Sequence, residues 1–158
     1  MFRAMRRFKQ QISNEECIEI LKKEKRGVLS LIGDDGYPYG LPLSHLYDEK
    51  SGKIYFHGAK EGHKIDAIKK CGKASFCVYD KGFAKPGEWA LNFKSVIAFG
   101  KISLVDDIKK AEEICTNLLK KFTDDEEYLR KELENALARV QCLEFTIEYM
   151  TGKLVNES

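Results

Sequence analysis

The sequence is poor in several features, and each scarcity excludes something. It has no Cys-x-x-Cys pair. Its five cysteines (Cys17, Cys71, Cys77, Cys115, Cys142) are an odd number scattered among apolar and helical residues, which argues against a disulfide framework and against a spaced metal cluster. Reduced, mostly buried thiols and no bound metal are expected. No apolar run approaches the ~20 residues that a bilayer-crossing helix needs. The opening Met-Phe-Arg-Ala-Met-Arg-Arg-Phe-Lys lacks the apolar stretch and small-residue cleavage site of a secretory signal. A cytoplasmic protein outside the membrane is therefore expected. Charge of one sign is also missing: 27 Lys and Arg against 25 Asp and Glu leave +2, too little for the broad basic face that nucleic acid draws. There is no Gly-x-Gly-x-x-Gly and no regular strand–helix alternation, which argues against a doubly wound nucleotide-binding sheet.

What is present fits one soluble domain over residues 1–158, with 43% hydrophobic and 33% charged residues. Ser13 with Glu16 forms a capping box ahead of Cys17, Ile18, Ile20 and Leu21, so a helix is expected over about 14–25. Strand patterns follow at 27–32, 37–47 and 53–56, separated by the turns Gly33-Asp34-Asp35-Gly36 and Asp48 to Gly52. Further strands are expected at 73–80, 91–104 and 142–150. Pro38 and Pro42 place the second strand at an edge or give it a bulge, and Gly100 permits a bend in the fifth. Ala111, Ile114, Cys115, Leu118, Leu119 and Phe122 mark an amphipathic helix, and Thr123 with Glu126 is expected to cap another through about Ala138. The sum is a small antiparallel barrel of six strands with peripheral helices.

The stretch Tyr-Phe-His-Gly-Ala-Lys-Glu-Gly-His-Lys-Ile, residues 55–65, carries most of the functional signal. A short apolar strand runs into a turn with two glycines, which delivers His63 and Lys64 to a helix start. Free amide groups, the positive end of the helix dipole, an ammonium and an imidazole then converge on a small volume suited to phosphate. Five lysines stand between Lys60 and Lys73 against Glu61 and Asp66 only, a local excess that favours a discrete anion over nucleic acid. The same lysines also suit a solvated helix start, and both readings stand at this point.

The motifs Gly-Leu-Pro-Leu-Ser (40–44), Tyr-Phe-His-Gly-Ala (55–59), Gly-His-Lys (62–64), Lys-Ser-Val-Ile-Ala-Phe-Gly (94–100) and Thr-Gly-Lys (151–153), in this order, resemble the flavin-binding split-barrel family related to pyridoxamine 5′-phosphate oxidase, and within it the 5-nitroimidazole-resistance reductase branch. The resemblance extends from about Ile12 to Lys153. It implies a six-stranded split barrel that forms a homodimer with FMN in grooves at the subunit interface. It further implies that Leu43, Ser44, Phe56, His57, Gly58 and Ala59 line the flavin, that His63 and Lys64 hold its phosphate, and that Ser95 completes the site. Small residues at Gly58 and Ala59 suit the approach of a flat ring. Relatives often carry arginine where this chain has Lys94, which offers a point charge without a bidentate fork.

By the same resemblance His57 is the catalytic residue, a near-neutral imidazole beside the flavin; its alternative is a strand-end histidine bonded to a carbonyl. Trp89 suits a flavin cover or a dimer contact, and His45 has no assigned part. The implied function is an FMN-dependent oxidoreductase acting on a small aromatic acceptor of the nitroimidazole type. The alternatives are a non-catalytic flavin-binding protein and a haem-binding split-barrel protein. Fold alone does not choose among them.

Overall fold

In a computed structural model, which describes residues 1–157, the helix start read at Ser13 is present. The Ser13 hydroxyl accepts from the Glu16 amide at 3.1 Å, and the Glu16 carboxylate accepts from the Ser13 amide at 3.0 Å. Helix α1 (Asn14–Lys23) turns Cys17, Ile20 and Leu21 inward and stops short of Lys25, because Glu24 is already extended (φ −75°, ψ 141°).

Among the described residues the expected six strands are eight. β1 (Arg26–Ile32), β2 (Pro38–Ser44), β3 (Leu46–Asp48), β4 (Lys53–Ala59), β5 (Lys73–Tyr79), β7 (Leu91–Val105) and β8 (Val140–Asn156) form one antiparallel sheet in the order β2-β1-β5-β7-β8-β4-β3, and β6 (Phe83–Ala84) pairs with the start of β7. The strand expected over 37–47 is broken at His45. There the amide donates to the Lys25 carbonyl at 3.4 Å and the ring bonds the Leu21 carbonyl at 2.7 Å, so the chain turns a corner. β6 arises in the expected loop because Gly82, at φ 71°, folds the chain back and sets Phe83 opposite Asn92.

His45 alone separates β2 from β3, the two ends of the sheet order, so the sheet curls until its ends meet as a split barrel. Pro38 and Pro42 sit on β2, which pairs only with β1, the edge position that a residue without an amide donor tolerates. The long β7–β8 ladder shifts register between Gly100↔Ile147 and Phe99↔Tyr149, so β8 carries the extra residue. Gly100 marks the place: a β carbon there would meet the Thr146 carbonyl.

Strand alternation divides the side chains between two faces. Inward go Leu29, Leu31, Ile54, Phe56, Phe76, Val78, Val96, Ala98, Leu143 and Phe145, closed at one end by Ile65, Ala67 and Ile68 of α2 (His63–Lys70). Phe56 and Phe76 meet edge to face at 5.0 Å, a geometry that adds on the order of 0.5–1.5 kcal/mol to their burial. Outward, α3 (Ile108–Lys120) and α4 (Glu126–Ala136) cover Tyr55, Val105, Val140 and Cys142 with Ile114, Cys115, Leu133 and Leu137. The cap of α4 is Asp125, which accepts from the Tyr128 amide at 3.0 Å; Thr123 only closes a turn by accepting from the Asp125 amide. Among the described residues, no helix is long and apolar enough to cross a membrane.

Candidate functional site

β4 supplies the centre of the site. Its alternation sends Phe56 inward, fully buried, so Phe56 has only main chain to offer a ligand. His57 points outward with Tyr55, half-buried, directly opposite Cys142 of β8. Burial, and after it the nearby Lys64 ammonium, lower the His57 pKa, so the imidazole is neutral at pH 7. Ala59, at the strand end, is exposed.

Gly62, at φ 123°, leads into α2 and brings no side-chain cap. The Asp66 amide bonds the Gly62 carbonyl at 3.1 Å, while the amides before it have no intrahelical acceptor. Lys64, in this first turn, folds back over β4 so that a β carbon on Gly58 would fall on its ammonium. The Lys64 side chain is half-buried and burial lowers its pKa. No carboxylate pairs with it among the described residues, although eight lysine or arginine ion pairs link other groups. A half-buried cation with no counter-ion, beside an uncapped helix start, fits an anionic group.

His63 has two further partners besides the helix start. Its ring stacks on Tyr39 at 4.1 Å, and its Nε2 accepts from the Asp34 amide at 3.3 Å, with the Asp34 carboxylate 3.7 Å away. With Nε2 accepting that bond, Nδ1 is the nitrogen left for a ligand. α2 thus begins across the split of the barrel, with His63 leaning on β2 and Lys64 on β4.

The remaining expected residues divide. Leu43 packs against the interior, and Ser44, opposite Arg26, ends β2 beside His45. Ser95 is not brought to His57 within one chain. Through Cys142, His57 shares a register line with Val105, and Ser95 lies ten residues further along β7, between Tyr79 and Lys153. Lys94 is committed to α1 by an ion pair with Glu16 at 3.1 Å. Trp89 is 84% exposed. Among the described residues, no group of three or more His, Cys, Asp and Glu could hold a metal ion.

His45, unassigned from sequence, is fully buried, and burial pushes its pKa down to about 4. Its carbonyl, with those of Leu21 and Glu24, accepts from the Lys121 ammonium at 2.9, 3.5 and 2.5 Å, which ties the end of α3 to the β2–β3 corner. Tyr39 and Asp34 were also missed. A stacked aromatic three residues before the Pro-Leu-Ser run leaves no distinctive spacing to read.

The family model for pyridoxamine 5′-phosphate oxidase matches residues 13–154. The chain belongs to that family. A search of the curated proteins found no match. Among solved structures, pyridoxamine 5′-phosphate oxidase-like folds recur at low identity. A protein from Bacteroides thetaiotaomicron named for 5-nitroimidazole antibiotic resistance is 17% identical, with a TM-score of 0.77 over 92% of this chain and 87% of that one. A FAD-binding protein from Mesorhizobium loti is 21% identical, with a TM-score of 0.67 over 92% and 97%. A FAD and heme binding protein from Mycobacterium smegmatis is 18% identical, with a TM-score of 0.72 over 92% and 73%. At these identities the likeness is one of fold.

Proposed function

We propose that this member of the pyridoxamine 5′-phosphate oxidase family is an FMN-dependent oxidoreductase that works as a homodimer and reduces small aromatic acceptors of the nitroimidazole type. The observation that carries the reading is Lys64: a half-buried ammonium without a counter-ion, held over Gly58 at an uncapped helix start. One ammonium and one set of free amides match one terminal phosphate, which favours FMN over a flavin whose phosphate is esterified onward. Lys64 and the first amides of α2 would take the phosphate, Nδ1 of His63 would donate from the β2 side, and the main chain at Gly58 and Ala59 would face the ring. The flavin, when bound, supplies the redox chemistry. His57 is half-buried and neutral, so it would present an N–H to a reacting group and take up a proton when the pH falls.

The dimer is supported by the open part of the outward face. Val28, Cys77 and Ile97 lie in one register line across β1, β5 and β7, and Phe99 lies in the next. Val28, Ile97 and Phe99 remain 37%, 40% and 39% exposed. Ser95 borders this surface, far from its own chain's His57, which suits a site completed by a second copy. The relatives named for nitroimidazole resistance and FAD binding support the substrate class and the cofactor class respectively.

Titration of the purified protein with FMN and with riboflavin tests the reading. Lys64→Ala is expected to weaken FMN roughly ten- to a hundredfold, because a charge-assisted contact contributes on the order of 1.5–3 kcal/mol, and to leave riboflavin nearly unchanged. Equal losses for both ligands would remove the phosphate assignment. Turnover of a nitro compound with a chemical reductant then separates an enzyme from a flavin carrier.

A further inference from the structure

Cys115 on α3 and Cys142 on β8 stand apart from the other three cysteines. Their sulfurs are 3.5 Å apart, and the residues are 3% and 1% exposed. The contact is a hydrogen bond between two thiols, so the pair is polarised. The Cys142 S–H held against Cys115 lowers the Cys115 pKa against the opposing effect of burial, while the same contact and burial raise Cys142. Of the two thiols, Cys115 is therefore the one that gives up its proton more readily, with Cys142 beside it as the second thiol.

A cleft of about 70 Å³ is walled in part by Tyr55 and Ile114, which pack in the same cluster as the two cysteines. Neither sulfur lines that cleft, so a small oxidant reaches the pair by local opening of the wall between them.

We propose that Cys115 and Cys142 are a redox site, oxidised by hydrogen peroxide to an internal disulfide between α3 and β8. The Cys115 thiolate attacks a peroxide oxygen, the O–O bond breaks, and hydroxide leaves to take up a proton as water. The sulfenic acid so formed is attacked by the Cys142 sulfur, the S–O bond breaks, and the Cys142 proton leaves in a second water. Two thiols give up two electrons and two protons, and one peroxide becomes two waters. The sulfurs need to close by about 1.5 Å to reach bonding distance, a small adjustment for a helix resting on a sheet. The product ties residues 27 apart in sequence and acts on the strand position facing His57. The site rests on the geometry of the pair and is independent of the flavin reading.

The test treats the full-length protein with hydrogen peroxide, alkylates the remaining thiols, and maps peptides without reduction. The expected product is two mass units lighter, joins the Cys115 and Cys142 peptides, and reverts with dithiothreitol. Its unfolding midpoint rises by on the order of 5–10 °C. A Cys71→Ser, Cys77→Ser double variant, which leaves the pair untouched, is expected to give the same product, and Cys115→Ser none. Oxidation confined to Cys71 and Cys77 while Cys115 and Cys142 stay alkylatable after unfolding, or arrest of Cys142 as a sulfinic acid, overturns the proposal.

Discussion

The outward face of one sheet behaves in two ways. Over β4, the end of β7 and the start of β8 it is roofed, and Tyr55, Cys142, Ile114 and Cys115 form a second core. Over β1, β5 and the middle of β7 it is open, and Val28, Ile97 and Phe99 keep more than a third of their surface. The two regions share one backbone geometry and one alternation, so the difference comes from what lies above. The roofed region has α3, anchored by Lys121 at one end and by the ion pair of Lys110 with Glu144 near the other. The open region has Phe2 stacked on Tyr149 at 5.2 Å and, among the described residues, no helix of its own. An apolar outward row in a strand therefore marks a surface to be covered, and it does not say whether the cover is a helix of the same chain or another molecule.

A charge placed in each region has different consequences. Ile114→Asp buries a charge without a partner and is expected to cost on the order of 3–5 kcal/mol, read in denaturant unfolding. Ile97→Asp, on the open face, is expected to change the stability of the isolated chain little, about 0.5 kcal/mol at most, and to abolish dimers in sedimentation. If Ile97→Asp unfolds the chain as Ile114→Asp does, the open face is part of the core.

The corner between the regions is the next place to press. His45 joins β2 of the open side to β3 of the roofed side, and its folded pKa of about 4 lies below the unfolded value near 6.5. Between these values the unfolded chain binds more protons, so stability falls as the pH falls from about 6.5 to 4. The loss at pH 4 is about 3 kcal/mol for this group. His45→Gln removes that pH-dependent part, which parallel unfolding curves at the two pH values would read.

His57 sits at the edge of the roof, and its test is kinetic. His57→Ala is expected to lower nitro-compound turnover by at least ~10² while the flavin spectrum persists. Because the His57 pKa is lowered, its protonated fraction grows only below the ordinary histidine range. Turnover of the unaltered protein is therefore expected to rise toward acid pH, and that rise is expected to vanish in the variant. An unchanged profile would make His57 a strand-end residue. The smallest effect sharpens the account of the roof: Asp125→Ala is expected to cost about 1 kcal/mol and Thr123→Ala much less, because only Asp125 caps α4.

Local patterns were legible where the physics is local. The Ser13–Glu16 box, the edge prolines of β2, the Gly100 irregularity and the apolar stripe of α3 each follow from neighbours within a few residues or from one side chain's covalent limits. The misses are tertiary. The strand break at His45 depends on a carbonyl of α1, and Asp125 displaced Thr123 because only the folded turn decides which side chain reaches the third amide. At the site, Lys64 and the helix start were readable from the Gly-His-Lys run. The commitment of His63 to Asp34 and Tyr39 was not, because its partners lie on another strand and turn. Cys115 and Cys142 read as two unrelated buried thiols for the same reason.

The placement of β8 between β7 and β4 has a consequence for synthesis on the ribosome. β4 ends at residue 59 and β8 begins at residue 140, so at about 5–20 residues per second β4 waits roughly 4–16 s for its partner. Through that interval the edge that will face β8, with Ile54, Tyr55 and Phe56 in succession, is an unpaired apolar strand of the kind that other nascent chains can extend. The lysines at 53 and 60, one at each end of β4, place like charges on neighbouring copies where such pairing would start.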